Sequence, residues 1–139
     1  THLDGIIGYM QKRASKNVKI ETQSNKEEII VLISGALFDW VIENLLKNAL
    51  DAMDGIGSIK INIQDEASKI IIDVTDTGKG ITKQNVAKIF NPGFTTKKRG
   101  WGLGLTLTKR IVQQYHKGHI LVLNSEVNVG TTFRIELSK

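Results

Sequence analysis

Ser58-Ile59-Lys60-Ile61-Asn62-Ile63 alternates polar and apolar at every step, and a second, β-branched run at residues 70–75 follows after a short polar turn at 65–68. Strict period-two alternation marks a strand with one face buried and one face wet. Two such runs joined by so few residues pair antiparallel, because a parallel pair needs a crossover of about a dozen residues or more. A purely parallel sheet is therefore disfavoured. What precedes the hairpin is helical: residues 36–54 place Phe38, Ile42, Leu45, Ala49 and Met53 on one face at spacings of three and four. Gly55-Ile56-Gly57 ends that helix and turns the chain. Further helices are predicted at 3–15, with Leu3, Ile6, Ile7 and Met10 on one side, at 82–89 with Thr82 as N-cap, and at 103–116. Further strands are predicted at 18–22, 28–33, 119–124 and 132–137. Helices grouped among hairpins imply an α/β two-layer sandwich: one mixed, mostly antiparallel sheet with helices on one face.

The 139 residues are 40% hydrophobic and 24% charged, which suits a single domain with a real core. No linker, repeat or signal peptide interrupts it, and no apolar run is long enough to cross a membrane. The absence of cysteine excludes disulfides and thiolate metal sites. His2, His116 and His119 do not make a metal set, since the last two are split by a glycine and no third ligand lies near. The net charge of +5 includes one concentrated run, Lys97-Lys98-Arg99. That run sits between two glycine clusters, where a phosphate ligand would explain it. No nucleic-acid recognition motif accompanies the charge, so nucleic acid is not expected.

Four groups of residues can carry chemistry. Asn44 and Asn48 lie one helical turn apart at the border of the apolar face, with Asp51 beside them. Their amide oxygens suit Mg²⁺ that is otherwise held by phosphate and water, or they serve nearby backbone groups. Asp76 directly follows a strand, where its carboxylate can accept from an exocyclic amine such as adenine's. Gly78 and Gly80 let the chain turn sharply and let a planar base approach; the plainer alternative is a strand-ending Asp-Thr-Gly turn. Gly100, Gly102 and Gly104 alternate just before a helix, where backbone amides favour phosphate, though a simple hinge also accounts for them. They form neither a P-loop nor the dinucleotide fingerprint. Residues 90–99, with Phe90, Pro92, Phe94 and three successive cations, read as a lid over a ligand or as a solvated loop.

In this order the motifs resemble the catalytic and ATP-binding domain of sensor histidine kinases, part of a superfamily shared with gyrase, Hsp90 and MutL. Asn44-Leu45-Leu46-Lys47-Asn48-Ala49-Leu50-Asp51-Ala52 resembles its asparagine box, and Asp73-Val74-Thr75-Asp76-Thr77-Gly78-Lys79-Gly80-Ile81 its first glycine box. Ile89-Phe90-Asn91-Pro92-Gly93-Phe94-Thr95-Thr96-Lys97 resembles the phenylalanine box, residues 100–105 the second glycine box and Gly130-Thr131-Thr132-Phe133 the terminal one. The resemblance implies the Bergerat-type sandwich and a single domain over 1–139 with an ATP lid at about 91–103. It implies ATP and Mg²⁺ as cofactors. Asn48 would be the metal ligand and Asn44 would support the phosphate and metal region. Asp76 would recognise the adenine amine, Gly78 and Gly80 would shape its pocket, and Thr132 would order water near the base. Lys97 would reach the terminal phosphates, and Gly102 and Gly104 would wrap them. Asp51, Ile81, Phe90, Gly100, Leu103 and Leu105 complete the expected nucleotide-binding set as members of these boxes. Two positions depart from the pattern: Asp51 stands where many members are basic, and Trp101 where a small hydroxyl residue is common.

The superfamily's hydrolases keep a glutamate one turn before the metal asparagine. Here that position is Asn44, a poor base at neutral pH, and Glu43 points about 100° away around the helix. The expectation is therefore a protein-histidine kinase that hands the γ-phosphate of ATP to a histidine on a separate dimerisation and phosphoacceptor domain, in cis or in trans. A conformational ATPase of the gyrase type and a non-catalytic nucleotide sensor are the alternatives. His2 lacks the context of a phosphoacceptor, so that domain is expected to be absent and self-phosphorylation poor. A response regulator downstream and a cytoplasmic location, with or without a membrane-anchored parent, complete the expectation.

Overall fold

The computed structural model describes residues 7–8, 18–24, 36–53, 55–90, 104–115 and 118–138. Eight elements follow in chain order: β1 (Val18–Ser24), α1 (Ala36–Met53), β2 (Gly57–Asp65), β3 (Lys69–Asp76), α2 (Lys83–Val86), α3 (Gly104–Tyr115), β4 (Gly118–Glu126) and β5 (Gly130–Ser138). Residues 7 and 8 are helical, while the rest of the helix expected at 3–15 and the strand expected at 28–33 lie outside the described residues.

The strands form one five-stranded sheet in the order β1-β2-β3-β5-β4. β1 pairs parallel with β2, and the other three pairings are antiparallel. The sheet is thus mixed and mostly antiparallel, as the hairpin signals require. The β2–β3 turn falls at the expected place, with the Glu66 N–H donating to the Lys69 carbonyl at 2.9 Å.

Alternation decides which face is buried. Ile59, Ile61 and Ile63 of β2 stand opposite Asp76, Val74 and Ile72 of β3. Those β3 residues in turn stand opposite Thr131, Phe133 and Ile135 of β5. All of these positions are buried. The α1 stripe of Val41, Ile42, Leu45, Leu46, Ala49 and Met53, with Val112 of α3, closes over the same face. α1 packs on β2 and β3, and α3 packs on β4 and α1. Burying one side chain of this size stabilises the fold by roughly 1.5–3 kcal/mol. The opposite face is polar along its centre, where the Arg134 guanidinium grips the Asp73 carboxylate with two bonds of 2.8 and 2.9 Å.

The segment 82–89 is less helical than its pattern predicts. Thr82 does cap it, its hydroxyl accepting from the Asn85 N–H at 3.3 Å. Regular helix nonetheless ends at Val86, and the Lys88 N–H returns to the Asn85 carbonyl at 2.8 Å, a tighter three-residue closure. That tightening accompanies the burial of Ile89 in the core.

Candidate functional site

β3 ends on Asp76, which its strand phase turns toward the helices with Ile70, Ile72 and Val74. The residue is only 5% exposed. Burial pushes its carboxyl above the ordinary aspartate range, and backbone N–H bonds from Gly78 and Thr131 oppose that shift. The Gly78 N–H donates to Oδ1 at 2.8 Å. A buried charge persists in a fold only when it is hydrogen-bonded, and here the backbone supplies those bonds.

The turn that follows is clamped from two sides. The Lys79 N–H donates to the Ala52 carbonyl at the end of α1 at 2.9 Å, and the Asn128 N–H of the β4–β5 hairpin donates to the Lys79 carbonyl at 2.8 Å. Thr77 and Ser58 exchange bonds, the Thr77 N–H to the Ser58 carbonyl at 3.2 Å and the Ser58 N–H to Thr77 Oγ1 at 3.0 Å. The Ile81 N–H donates to Ser125 Oγ at 2.7 Å. A Cβ on Gly78 would stand 2.7 Å from the Cβ of Ala52. Gly80 has φ +75°, and a Cβ there would run into the Glu126 carbonyl oxygen. Both glycines are needed for this packing, which holds Asp76 against the end of α1.

α1 supplies the adjoining wall. Asn44, Asn48 and Ala52 follow one another at four-residue spacing, so they share a stripe about 12 Å long. Asn44 and Asn48 are half-buried, and the Asn48 side-chain nitrogen is fully buried. Asn44 Nδ2 donates to Thr108 Oγ1 of α3 at 2.9 Å, and Thr108 has no exposed surface. Asp51, by contrast, is exposed. Phe90 rests edge-on against Phe133, with ring centres 6.4 Å apart. Its carbonyl accepts from Thr106 Oγ1 at 2.9 Å, and Lys109 Nζ stands 5.5 Å from its ring centre. Gly104 opens α3, and Leu105 packs against the core. Lys97, Gly100, Trp101, Gly102 and Leu103 lie outside the described residues.

Residues 36–139 match the family model described as histidine kinase-, DNA gyrase B-, and HSP90-like ATPase. The chain belongs to this family. It is 38% identical over 122 residues to sporulation kinase D of Bacillus subtilis (strain 168), covering 87% of this chain but 24% of that protein. The chain thus spans about a quarter of that curated relative's length. Its fold is similar to the catalytic domain of histidine kinase ThkA, with TM-score 0.87, 31% identity, and coverage of 98% of this chain and 90% of that one. A structure of histidine kinase ThkA in complex with response regulator protein TrrA is similar at TM-score 0.83 and 28% identity, over 99% of this chain and 39% of that one.

Within the family's terminal glycine box, strand phase separates two adjacent threonines. Thr132, the expected water-ordering residue, stands opposite Thr75, and their hydroxyls meet at 2.9 Å. That pair lies on the sheet face opposite Asp76. Thr131 is the cross-strand partner of Asp76, is 4% exposed, and supplies the second backbone N–H to its carboxylate. Thr131 thus shares the face of Asp76 while Thr132 takes the other, because one residue along a strand reverses the face. Ser125 and Thr108 were likewise not singled out. Thr108 does carry a signal, a hydroxyl at the core-facing spacing set by Leu105 and Val112.

The donors present are compatible with the Mg²⁺ expected from the sequence. Mg²⁺ bound with a nucleotide takes most of its oxygen ligands from phosphate and water, and one or two from protein. Among the described residues no group of three or more His, Cys, Asp or Glu could hold a metal alone. A single amide oxygen from Asn48, on the wall leading away from Asp76, suits an ion that arrives with its phosphates.

Proposed function

We propose that this chain is the ATP-binding catalytic domain of a sensor histidine kinase, a single domain over 1–139 with residues 91–103 as its lid. The purine lies against Asp76, beside the 77–81 turn that the β4–β5 hairpin clamps from behind. The phosphates run along the α1 stripe toward Asn48 and Asn44. The stripe's length of about 12 Å is of the order of an extended nucleotide. Asn48 would hold Mg²⁺ through its amide oxygen, and the ion would supply charge neutralisation at the phosphates. Asn44 orients the phosphate end, and Lys97, with Gly100, Gly102 and Gly104, supplies charge and backbone donors from the lid side. Ile81, Phe90, Leu103 and Leu105 give the apolar surroundings.

The observation that carries phosphotransfer over hydrolysis is the bond from Asn44 Nδ2 to Thr108 Oγ1 at 2.9 Å. A hydrolase needs a base where Asn44 stands, one turn before the metal asparagine. An amide has no useful basicity at neutral pH, and this one is committed as a donor to a buried hydroxyl. Water in the site is therefore not activated, and the γ-phosphate waits for an outside nucleophile. We infer that this is a histidine on the dimerisation and phosphoacceptor domain of the same kinase. Transfer then rests on positioning and charge stabilisation.

The likeness to sporulation kinase D and to the ThkA catalytic domain supports this reading. The ThkA–TrrA complex supports a response regulator as the downstream partner. A cytoplasmic place, where ATP is available, follows from the same reading; no described helix is long and apolar enough to cross a membrane. The test adds γ-labelled ATP and Mg²⁺ to this chain plus a supplied dimerisation and phosphoacceptor domain. Acid-labile, base-stable label on the partner is expected, with little on the chain alone. Rapid release of labelled phosphate with none on the partner would overturn the proposal in favour of a hydrolase.

A further inference from the structure

Along β4 the residues facing the helices are first Gly118, Ile120 and Val122, opposite Leu137, Ile135 and Phe133. Unbroken alternation would bring Asn124 inward next. The pairing shifts between Val122 and Asn124, so that Ser125 comes to stand opposite Thr131 instead. Asp76, Thr131 and Ser125 then form one row across three strands. A bulge that re-aims a side chain is a frequent device beside functional sites.

The Ser125 hydroxyl has three neighbours. It accepts from the Ile81 N–H at 2.7 Å, meets Thr131 Oγ1 at 2.8 Å and reaches the Gly130 carbonyl at 3.3 Å. It owns a single hydrogen. The 2.8 Å contact has the ordinary O–H···O length, whereas 3.3 Å lies beyond it. Either hydroxyl of the 2.8 Å pair can donate; when Ser125 does, its hydrogen goes to Thr131 Oγ1. Thr131 is then free to turn its own hydrogen toward the row it shares with Asp76. The Asp76 carboxylate, an acceptor, and the Thr131 hydroxyl, then a donor, belong to neighbouring positions of one buried row.

We propose that Ser125 is a specificity-setting positioning residue for the purine, acting through Thr131. It pins the Ile81 backbone and fixes the Thr131 hydroxyl as a donor. The resulting edge matches adenine, whose exocyclic amine stands beside the ring nitrogen N1, an acceptor. Guanine carries the two in reverse, a carbonyl at C6 and an N–H at N1. A site that hydrogen-bonds a base edge discriminates strongly, because the wrong base leaves buried polar groups unpaired. This proposal rests on Asp76 being the purine contact.

The test uses the full chain and calorimetric titration with ATP, GTP and 1-deaza-ATP, in which a C–H replaces N1. Ser125→Ala should weaken ATP about three- to tenfold, the scale of one neutral hydrogen bond. The same variant should bind 1-deaza-ATP as the parent does, and should prefer ATP over GTP less. Ser125→Thr, which keeps the hydroxyl, should restore ATP binding. Equal losses for ATP and 1-deaza-ATP would show that Ser125 only holds the hairpin, and an unchanged ATP affinity would also overturn the proposal. Asp76→Asn is run alongside. If it binds ATP normally, the purine site itself is misplaced and the Ser125 proposal goes with it. If Asp76→Asn loses affinity while Ser125→Ala loses both ligands equally, only the Ser125 proposal fails.

Discussion

Asp76→Asn separates what the carboxylate does for the ligand from what its burial does to the fold. The variant removes the charge but retains an oxygen that can accept from the Gly78 N–H, now at 2.8 Å. A hydrogen bond to a charged group contributes roughly 1.5–3 kcal/mol, so ATP affinity at neutral pH should fall about ten- to a hundredfold. Stability should respond in the other direction. Burial raises the Asp76 pKa in the folded state, so the folded chain holds that proton more tightly than the unfolded chain. Such a group contributes stability that is fully present below its unfolded pKa and lost as pH rises through its folded pKa. Asparagine does not titrate. The stability of the variant relative to the parent should therefore rise with pH, from the ordinary aspartate range up through the raised folded value, and level off above it. Calorimetric titration with Mg-ATP measures the first effect, and urea denaturation of both proteins across a pH series measures the second. Unchanged ATP affinity refutes the adenine assignment. A stability difference that is flat with pH, or that falls, refutes the argument from burial.

Three other substitutions test separate parts of the structure. Asn48→Asp places a fixed charge beside the phosphates, so ATP binding without Mg²⁺ should weaken and the Mg²⁺ dependence should steepen; titrations showing an unaltered Mg²⁺ requirement would count against the metal role. Gly80→Ala meets both a φ of +75° and the Glu126 carbonyl, and should lose about 1–3 kcal/mol in urea denaturation, whereas parent-like stability would mean the hairpin yields easily. Leu45→Ala empties a core position that is 2% exposed and should lose about 2–5 kcal/mol; a thermal midpoint equal to the parent's would place Leu45 outside the load of the core.

The strands around Ile61 and Val74, the end of α1 at Gly55 and the cap at Thr82 are all legible from sequence, because period-two alternation, helical spacing and turn chemistry act over a few residues. The same holds for the sharp turn at Asp76, Gly78 and Gly80, and for the shared helical stripe of Asn44 and Asn48, which form the two ends of the proposed nucleotide site. The early end of α2 at Val86 was not legible, since a local cap starts a helix but the burial of Ile89 helps decide where it stops. Nor was the parallel pairing of β1 with β2, which joins segments separated by all of α1. Thr131 and Thr132 are chemically alike neighbours, and only the register of β5 on β3 assigns one of them to Asp76. Ser125 faces that row only because β4 bulges. The Asn44–Thr108 bond spans 64 residues of chain. By itself the sequence determined the types of the described strands and of α1 and α3, the hairpin and the short motifs around Asn44, Asn48 and Asp76, since each signal lies within a turn or two of backbone. Tertiary structure alone decided which hydroxyls and amides meet, because a one-residue shift between distant strands reverses every side chain that follows.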